Sequence, residues 1–185
     1  MSFKRIVKRL RTFRVWHRTI GVFVAIFLLI SSVTGILLSL KKDVPLIQPP
    51  TQEISFSSTD TWLTIPELEQ KSMLALQGKY PEQKENKVKR IDVRPSKGIA
   101  KVIFEEGNWE VQLNAINGEA LSIEKRYSDW IESLHDGSII SNLFKLISMN
   151  ILGISVIFMV ITGLWLYFGP KRFRRLKKNR NNSSM

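Results

Sequence analysis

The sequence contains no cysteine among its 185 residues and only two histidines, His17 and His135. Without cysteine, disulfides, thiolate metal sites and cysteine nucleophiles are all excluded. The sequence also lacks a glycine-rich phosphate loop, a dinucleotide-binding fingerprint and a Ser-His-Asp order. The chain therefore carries no NADH or flavin site of its own, and any chemistry must use other ligands.

Charged residues are absent from two long stretches. Residues 19–40 and 146–170, which are 22 and 25 residues long, contain no Asp, Glu, Lys or Arg. As a helix rising 1.5 Å per residue, either stretch is about 30 Å long or longer, enough to cross the hydrocarbon core of a bilayer. This concentration of apolar residues predicts an integral membrane protein with two spanning helices.

Acidic residues are absent from both ends of the chain. Residues 1–42 carry nine Lys or Arg and residues 171–185 carry seven, whereas residues 43–170 carry 12 basic and 16 acidic residues. The net charge of +12 thus belongs to the membrane flanks and does not indicate nucleic-acid binding. Because short basic flanks stay in the cytoplasm, we expect both termini inside and residues 43–145 outside. A cleaved signal peptide is disfavoured, since the apolar stretch is too long and Ser39-Leu40-Lys41 is not an A-x-A site.

The segment between the spans has the pattern of a small α+β domain. Thr64 and Pro66 begin a short amphipathic helix that ends near Gly78. Strand patterns follow at residues 88–93, 99–104, 109–113 and 120–123, with hairpin turns rich in Gly, Asn and Pro between them. The predicted fold class is an α+β membrane protein, in which two spanning helices flank one helix and an antiparallel meander of three or four strands.

The predicted organisation has seven consecutive parts. A basic amphipathic segment leads into the first span, and a proline-rich extended linker then leads to the α+β domain. An interfacial helix follows, which either breaks at Asp136-Gly137 or passes through a kink into the second span and a basic tail. The bounds of the seven parts are 1–18, 19–40, 41–64, 65–126, 127–145, 146–169 and 170–185.

Two histidine-bearing motifs and two Thr-Gly pairs are distinctive. They are Trp16-His17-Arg18 with Gly21, then Thr34-Gly35, Leu134-His135-Asp136-Gly137 and Thr162-Gly163. In these motifs, over roughly residues 12–170, the chain resembles the PepSY-associated transmembrane helix family, and the turn at residues 115–121 is similar to the end of a PepSY domain. The resemblance implies a bacterial inner-membrane protein connected with iron uptake. Some larger members are haem-containing reductases of ferric siderophores with about four spans, a number that a homodimer of this chain would restore.

The two histidines are candidate axial ligands of a b-type haem. A bis-histidine iron takes one imidazole from each of two helices. His17 and His135 stand at opposite ends of the spans, so in a twofold dimer each would meet its symmetry mate and two haems would form an electron path across the membrane. We expect Gly21 to leave room for a porphyrin face. The candidate partners of the haem propionates are Arg14, Arg18, Lys41 and Lys145, and Met149 or Met159 is an alternative ligand to a histidine.

Structural interpretations remain open for the same residues. Glycine and Thr-Gly pairs serve the packing of membrane helices, and flanking cations serve topology. Asp129, Glu132 and Asp136 could bind a cation, orient His135, or simply be surface charge. The functional alternative to haem-based electron transfer is a non-catalytic, membrane-anchored PepSY module that binds or regulates an envelope protein such as a peptidase. A structural subunit of an iron-uptake complex is a third possibility. The expected partners are lipids, a second copy, and an iron–siderophore acceptor or envelope protein, with no nucleic acid.

Overall fold

The computed structural model describes residues 3–57 and 59–182, and at residues 3–7, 9 and 171–182 it describes the backbone alone. The chain divides into two compact units, one of residues 1–33 with 134–185 and one of residues 34–133. The side chains of the basic tail predicted for 170–185 lie outside the described residues from position 171 onward. The same is true of much of the amphipathic face predicted for 1–18.

Two long helices dominate the first unit. Helix α1 is Phe3–Ser39, and helix α4 is Asn142–Asn182, which continues through Pro170. Within the described residues, Leu10–Ser39 and Asn142–Pro170 are long and apolar enough to cross a membrane, and only 11% and 6% of their most apolar stretches are buried. A core helix of a soluble protein would be mostly buried, so these exposed apolar surfaces are faces for lipid. The two predicted spans are confirmed, and residues 3–18 continue the first span as one helix.

A short helix, α3, precedes the second span. It is Ser128–Asp136 and ends at Gly137, whose φ of +80° is the left-handed conformation that glycine adopts without a steric penalty. The Ser138 N–H donates to Asp136 Oδ1 at 2.9 Å, which stabilises the turn before α4 begins at Asn142. The segment predicted as an interfacial helix over 127–145 is thus divided, with α3 over Ser128–Asp136 and residues 142–145 already in α4. Of the two alternatives at Asp136-Gly137, the structure has the break.

The second unit contains one helix and a four-stranded sheet. Helix α2 is Ile65–Lys79, and the Glu67 carboxylate in its first turn caps the helix by accepting a hydrogen bond from the Thr64 N–H at 2.7 Å. The strands are β1 Val88–Arg94, β2 Ile99–Phe104, β3 Trp109–Asn114 and β4 Ala120–Lys125. All neighbours are antiparallel in the order β1-β2-β3-β4, which confirms the predicted meander with four strands.

One face of the sheet packs against α2. Leu68 and Leu76 of α2 are buried against alternate residues of β2 and β3, and the Trp109 ring lies 4.3 Å from the Tyr80 ring, centroid to centroid. The alternation places every second strand residue in this core. The buried members are Leu68, Leu76, Ala100, Val102, Phe104, Trp109, Val111 and Leu113.

The segment that precedes α2 lies on the folded unit and is not a free linker. Ile47 is buried, and its carbonyl accepts a hydrogen bond from the Ser128 N–H at 2.9 Å. The side-chain amide of Gln112, which is fully buried on β3, donates to Pro50 O and accepts from the Gln52 N–H, both at 2.9 Å. The extended linker predicted for 41–64 therefore needs correction: residues 40–48 form turns, and the backbone of the segment satisfies polar groups of the folded unit.

A buried ionic network occupies the sheet face opposite α2. Glu110 is fully buried and receives Arg126 Nη1 at 2.8 Å on one carboxylate oxygen, while Lys101 Nζ lies 3.2 Å from the other in an ion pair without hydrogen-bond geometry. Arg126 Nε also donates to Asp129 Oδ1 at 2.8 Å. Burial lowers the pKa of Lys101, an effect that Glu110 partly offsets. The network therefore joins β2 and β3 to the start of α3.

Candidate functional site

The His17 ring is attached to α4 through Thr162. His17 Nδ1 lies 2.7 Å from Thr162 Oγ1, and His17 is half-buried while Thr162 is only 3% exposed. The Thr162 hydroxyl is also 2.8 Å from Phe158 O and 3.2 Å from Met159 O, one turn earlier in α4. A hydrogen bond thus connects the two spanning helices at the level of His17, and it involves one of the two predicted site histidines.

Two glycines lie beside this contact. A Cβ placed on Gly163 would be 3.4 Å from His17 Cε1, and one placed on Gly21 would be 2.8 Å from Met159 Cε. The imidazole of His17 therefore packs against the Thr162-Gly163 pair. The absence of a side chain at Gly21 lets the Met159 side chain approach α1. Gly21, predicted to leave room for a porphyrin face, is covered by the flexible end of Met159.

His135 lies in the last turn of α3. Its backbone carbonyl accepts a hydrogen bond from Ser31 Oγ of α1 at 3.3 Å, and its half-buried side chain lines a cavity of about 200 Å³ that Met149 also lines. Ser31 is 14 residues beyond His17 on the same helix, which corresponds to about 21 Å along the axis. The structure therefore places the two histidines at separate levels of the helix pair.

A second, apolar cavity lies between the two spanning helices. It measures about 320 Å³ and is lined along α1 from Ile20 to Phe27 and along α4 from Phe144 to Ser155. The hydroxyls of Ser148 and Ser155 are the polar groups of its lining. His17 and His135 are not among its lining residues. On α1 the lining runs from Ile20 to Phe27, which is between the levels of His17 and Ser31.

Two of the three carboxylates predicted near His135 form ion pairs. Asp136 pairs with Lys145, and Asp129 pairs with Arg126 and with Arg90, the latter at 3.0 Å. Burial of Asp129 raises the pKa of its carboxyl group, but the two arginines outweigh burial and lower the pKa on balance. Within the described residues there is no group of three or more His, Asp or Glu side chains that could hold a metal ion. Of the remaining propionate candidates, Arg14 and Arg18 are exposed and Lys41 is half-buried.

The ion pair of Asp136 predicts a pH dependence of stability. Burial raises the pKa of this carboxyl group, but hydrogen bonds from Lys145 and Ser138 outweigh burial and lower the pKa from 3.8 to about 2. A lowered folded-state pKa stabilises the fold above the unfolded value and loses its effect as the pH falls through about 2. We expect Asp136→Asn to lower the free energy of unfolding at neutral pH by about 1 kcal/mol. This value is smaller than the pKa shift alone would give, because Lys145 is half-exposed and water screens the ion pair.

Thermal unfolding of the detergent-solubilised protein at a series of pH values measures this effect. The difference between wild type and Asp136→Asn should shrink between pH 4 and pH 2. Glu132→Gln removes an exposed carboxylate of the same helix and serves as the control. A difference that stays constant down to pH 2 would contradict the assignment to the Asp136 carboxylate.

The fold defines a class of protein. Two apolar helices long enough to cross a bilayer, with one helix and a four-stranded meander between them in sequence, make a two-span α+β membrane protein. In a comparison with protein families, residues 4–184 match the PepSY-associated TM region. The chain therefore belongs to the PepSY-associated TM family, which confirms the resemblance read from the two histidine motifs. No curated protein matches the chain.

Proposed function

We propose that this membrane protein binds b-type haem between the helices of a homodimer and transfers electrons across the bacterial inner membrane. The acceptor would be a ferric siderophore or a similar ferric chelate outside the cytoplasm. The single observation that carries the proposal is the state of His17. Its Nδ1 is engaged by Thr162 across the helix pair, and in the part of the chain that the structure describes no hydrogen-bond partner is found for its Nε2.

The donor chemistry of the described residues fits haem iron. Iron accepts neutral imidazole as an axial ligand, and ligating histidines characteristically donate their second ring N–H to a neighbouring group. His17 has such a neighbour in Thr162, and His135 lines a cavity with Met149. The bound group would supply one-electron redox chemistry, while the chain's own helices hold the ligands in place and exclude water.

A homodimer follows from the number of ligands. Each chain contributes one histidine at each level, and the two levels are about 21 Å apart along α1. Two imidazoles at one level are therefore available only from two copies, which a twofold axis along the membrane normal supplies. In this arrangement His17 would meet its symmetry mate at one level, and His135 would meet its mate at the other.

The charge distribution gives the direction of transfer. The basic flanks before and after the spans favour both termini in the cytoplasm, with residues 43–145 on the outer side. His17, next to the N-terminal flank, would then stand at the cytoplasmic level and His135 at the outer level. Electrons from a cytoplasmic or quinone donor would enter at the His17 level and leave at the His135 level.

Proteoliposomes test this function. Haem-loaded protein is reconstituted in vesicles that contain a reductant, and the reduction of an external ferric chelate is followed with a ferrous-specific dye. Wild-type vesicles should reduce the chelate faster than protein-free vesicles and faster than vesicles with His17→Ala. A Trp16→Phe variant, altered at an exposed neighbour of His17, is the matched control and should resemble wild type. Equal rates in all vesicles would remove the electron-transfer proposal and favour the binding-module alternative.

A further inference from the structure

We propose that Thr162 is a positioning residue that fixes the tautomer of His17, with the proton on Nδ1 and the lone pair on Nε2. The inference concerns the state of the ring in this chain. Its use in ligation rests on the proposed function, whereas the tautomer itself does not require a cofactor to be present. The position of the single hydroxyl proton of Thr162 decides which tautomer forms.

Three polar atoms surround the Thr162 hydroxyl. Phe158 O is 2.8 Å away, Met159 O is 3.2 Å away and His17 Nδ1 is 2.7 Å away. A hydroxyl has one proton to donate and lone pairs with which to accept. The two carbonyl oxygens can only accept, whereas Nδ1 is able to carry a proton of its own.

Only one arrangement satisfies all the short contacts. If the hydroxyl donated to Nδ1, its oxygen would face Phe158 O at 2.8 Å with no hydrogen between them, which is a repulsive contact. If the hydroxyl directs its one proton to Phe158 O, with the more distant Met159 O sharing it, and Nδ1–H donates to the hydroxyl, the 2.7 Å and 2.8 Å contacts are both hydrogen bonds. The geometry therefore places the proton on His17 Nδ1.

The surroundings of Thr162 limit the access of water to the His17–Thr162 hydrogen bond. Thr162 is 3% exposed and lies within the apolar stretch Asn142–Pro170, so its hydroxyl has little access to water that could replace the bond. In a low dielectric, a chain of hydrogen bonds is strengthened because each bond polarises the next. The backbone of Gly163 also lies close to the ring, since a Cβ placed there would be 3.4 Å from His17 Cε1. The imidazole is therefore constrained in orientation as well as in tautomer.

The consequence is a specific role for the Thr-Gly pair of α4. A neutral histidine binds a metal through the nitrogen that lacks the proton, and the hydrogen bond made by the other nitrogen decides which one that is. Thr162 thereby presents Nε2 as the donor atom. Loss of such an outer hydrogen bond typically lowers metal affinity by about 10- to 100-fold.

Nitrogen NMR of the haem-free protein tests the inference directly. The protein is labelled with ¹⁵N-histidine, purified in mild detergent and measured at alkaline pH, and a His135→Gln background leaves His17 as the only histidine. We expect a pyrrole-type shift for Nδ1 and a pyridine-type shift for Nε2. Thr162→Val should move the proton toward Nε2, whereas Thr162→Ser, which keeps the hydroxyl, should resemble wild type.

Thr34→Val is the matched control. Thr34 belongs to the other Thr-Gly pair and is similarly buried, at 4% exposure, so its replacement makes a comparable change without touching the His17 contact. The His17 shifts should be unchanged in this variant. An Nε2-protonated ring in the parent protein, or unaltered shifts in Thr162→Val, would overturn the inference.

Haem titration of the same variants separates this inference from the proposed function. If haem binds, Thr162→Val should weaken its binding by about 10- to 100-fold and Thr162→Ser should restore it. If the tautomer is fixed as expected and haem never binds, the proposed function fails while the assignment of Thr162 stands. If haem binds but the tautomer is not fixed by Thr162, this inference fails alone.

Discussion

Replacing Glu110 with glutamine is expected to lower the free energy of unfolding of the 34–133 unit by about 3–5 kcal/mol. Glu110 is fully buried and is the carboxylate shared by Lys101 and Arg126. Removing its charge leaves Lys101, which is 1% exposed, without the opposite charge that offsets its desolvation. The cost arises from a buried cation left uncompensated rather than from the energy of the ion pair itself.

A double-mutant cycle measures the coupling. The single variants are Glu110→Gln and Lys101→Met, and the double variant combines them. Because Lys101→Met removes the stranded cation, the double variant should be more stable than the sum of the single effects predicts. Urea unfolding of the full chain in mild detergent, followed by pulse proteolysis, reports the stability of the unit.

Glu124→Gln is the control for the Glu110 prediction. Glu124 is the exposed cross-strand neighbour of Glu110 on β4, so its replacement makes the same chemical change outside the network. Its effect should stay within about 0.5 kcal/mol. A Glu110→Gln effect as small as that of Glu124→Gln would show that the network does not stabilise the unit.

The second large effect concerns the histidines themselves. His17→Ala and His135→Ala should each abolish one of two haem sites, so that each variant binds about half the haem of wild type and the double variant binds none. The reason is that each level has one histidine per chain and no cysteine is available as a substitute. Haem content per protein, measured after denaturation and extraction, checks this expectation.

Met149→Leu is the control for the histidine variants. Met149 lines the His135 cavity and was the alternative ligand there, so retention of full haem content in this variant supports histidine ligation. If Met149→Leu loses as much haem as His135→Ala, the outer iron has a methionine ligand. If neither histidine variant loses haem, the ligand assignment is wrong.

Much of the fold could be predicted because its signals are local. A charge-free stretch long enough to cross a bilayer identifies each span within its own residues. The strand bounds were predicted to within two residues, since the Asn117-Gly118 and Pro95–Gly98 turns fix where the hairpins reverse. The break at Gly137 remained open in the sequence because a kink and a turn have the same local pattern.

The contacts that complete the fold and the site are not local. Gln112 meets Pro50 across 62 positions, and His17 meets Thr162 across 145, so no periodicity brings these residues together. Lys101 and Glu110 read as ordinary outward-facing charges of strands. One signal was available, since Ile99 and Ile103 flank Lys101 on the same strand face and indicate that this face is also covered.

Electron transfer by this protein requires that it bind haem. The direct measurement is the oxidised and dithionite-reduced absorption spectrum of wild-type protein, purified in mild detergent from haem-supplemented cells. We expect a low-spin b-type spectrum whose bands sharpen on reduction, with two haems per dimer. A colourless protein that also fails to take up added haem would rule out the proposed electron transfer.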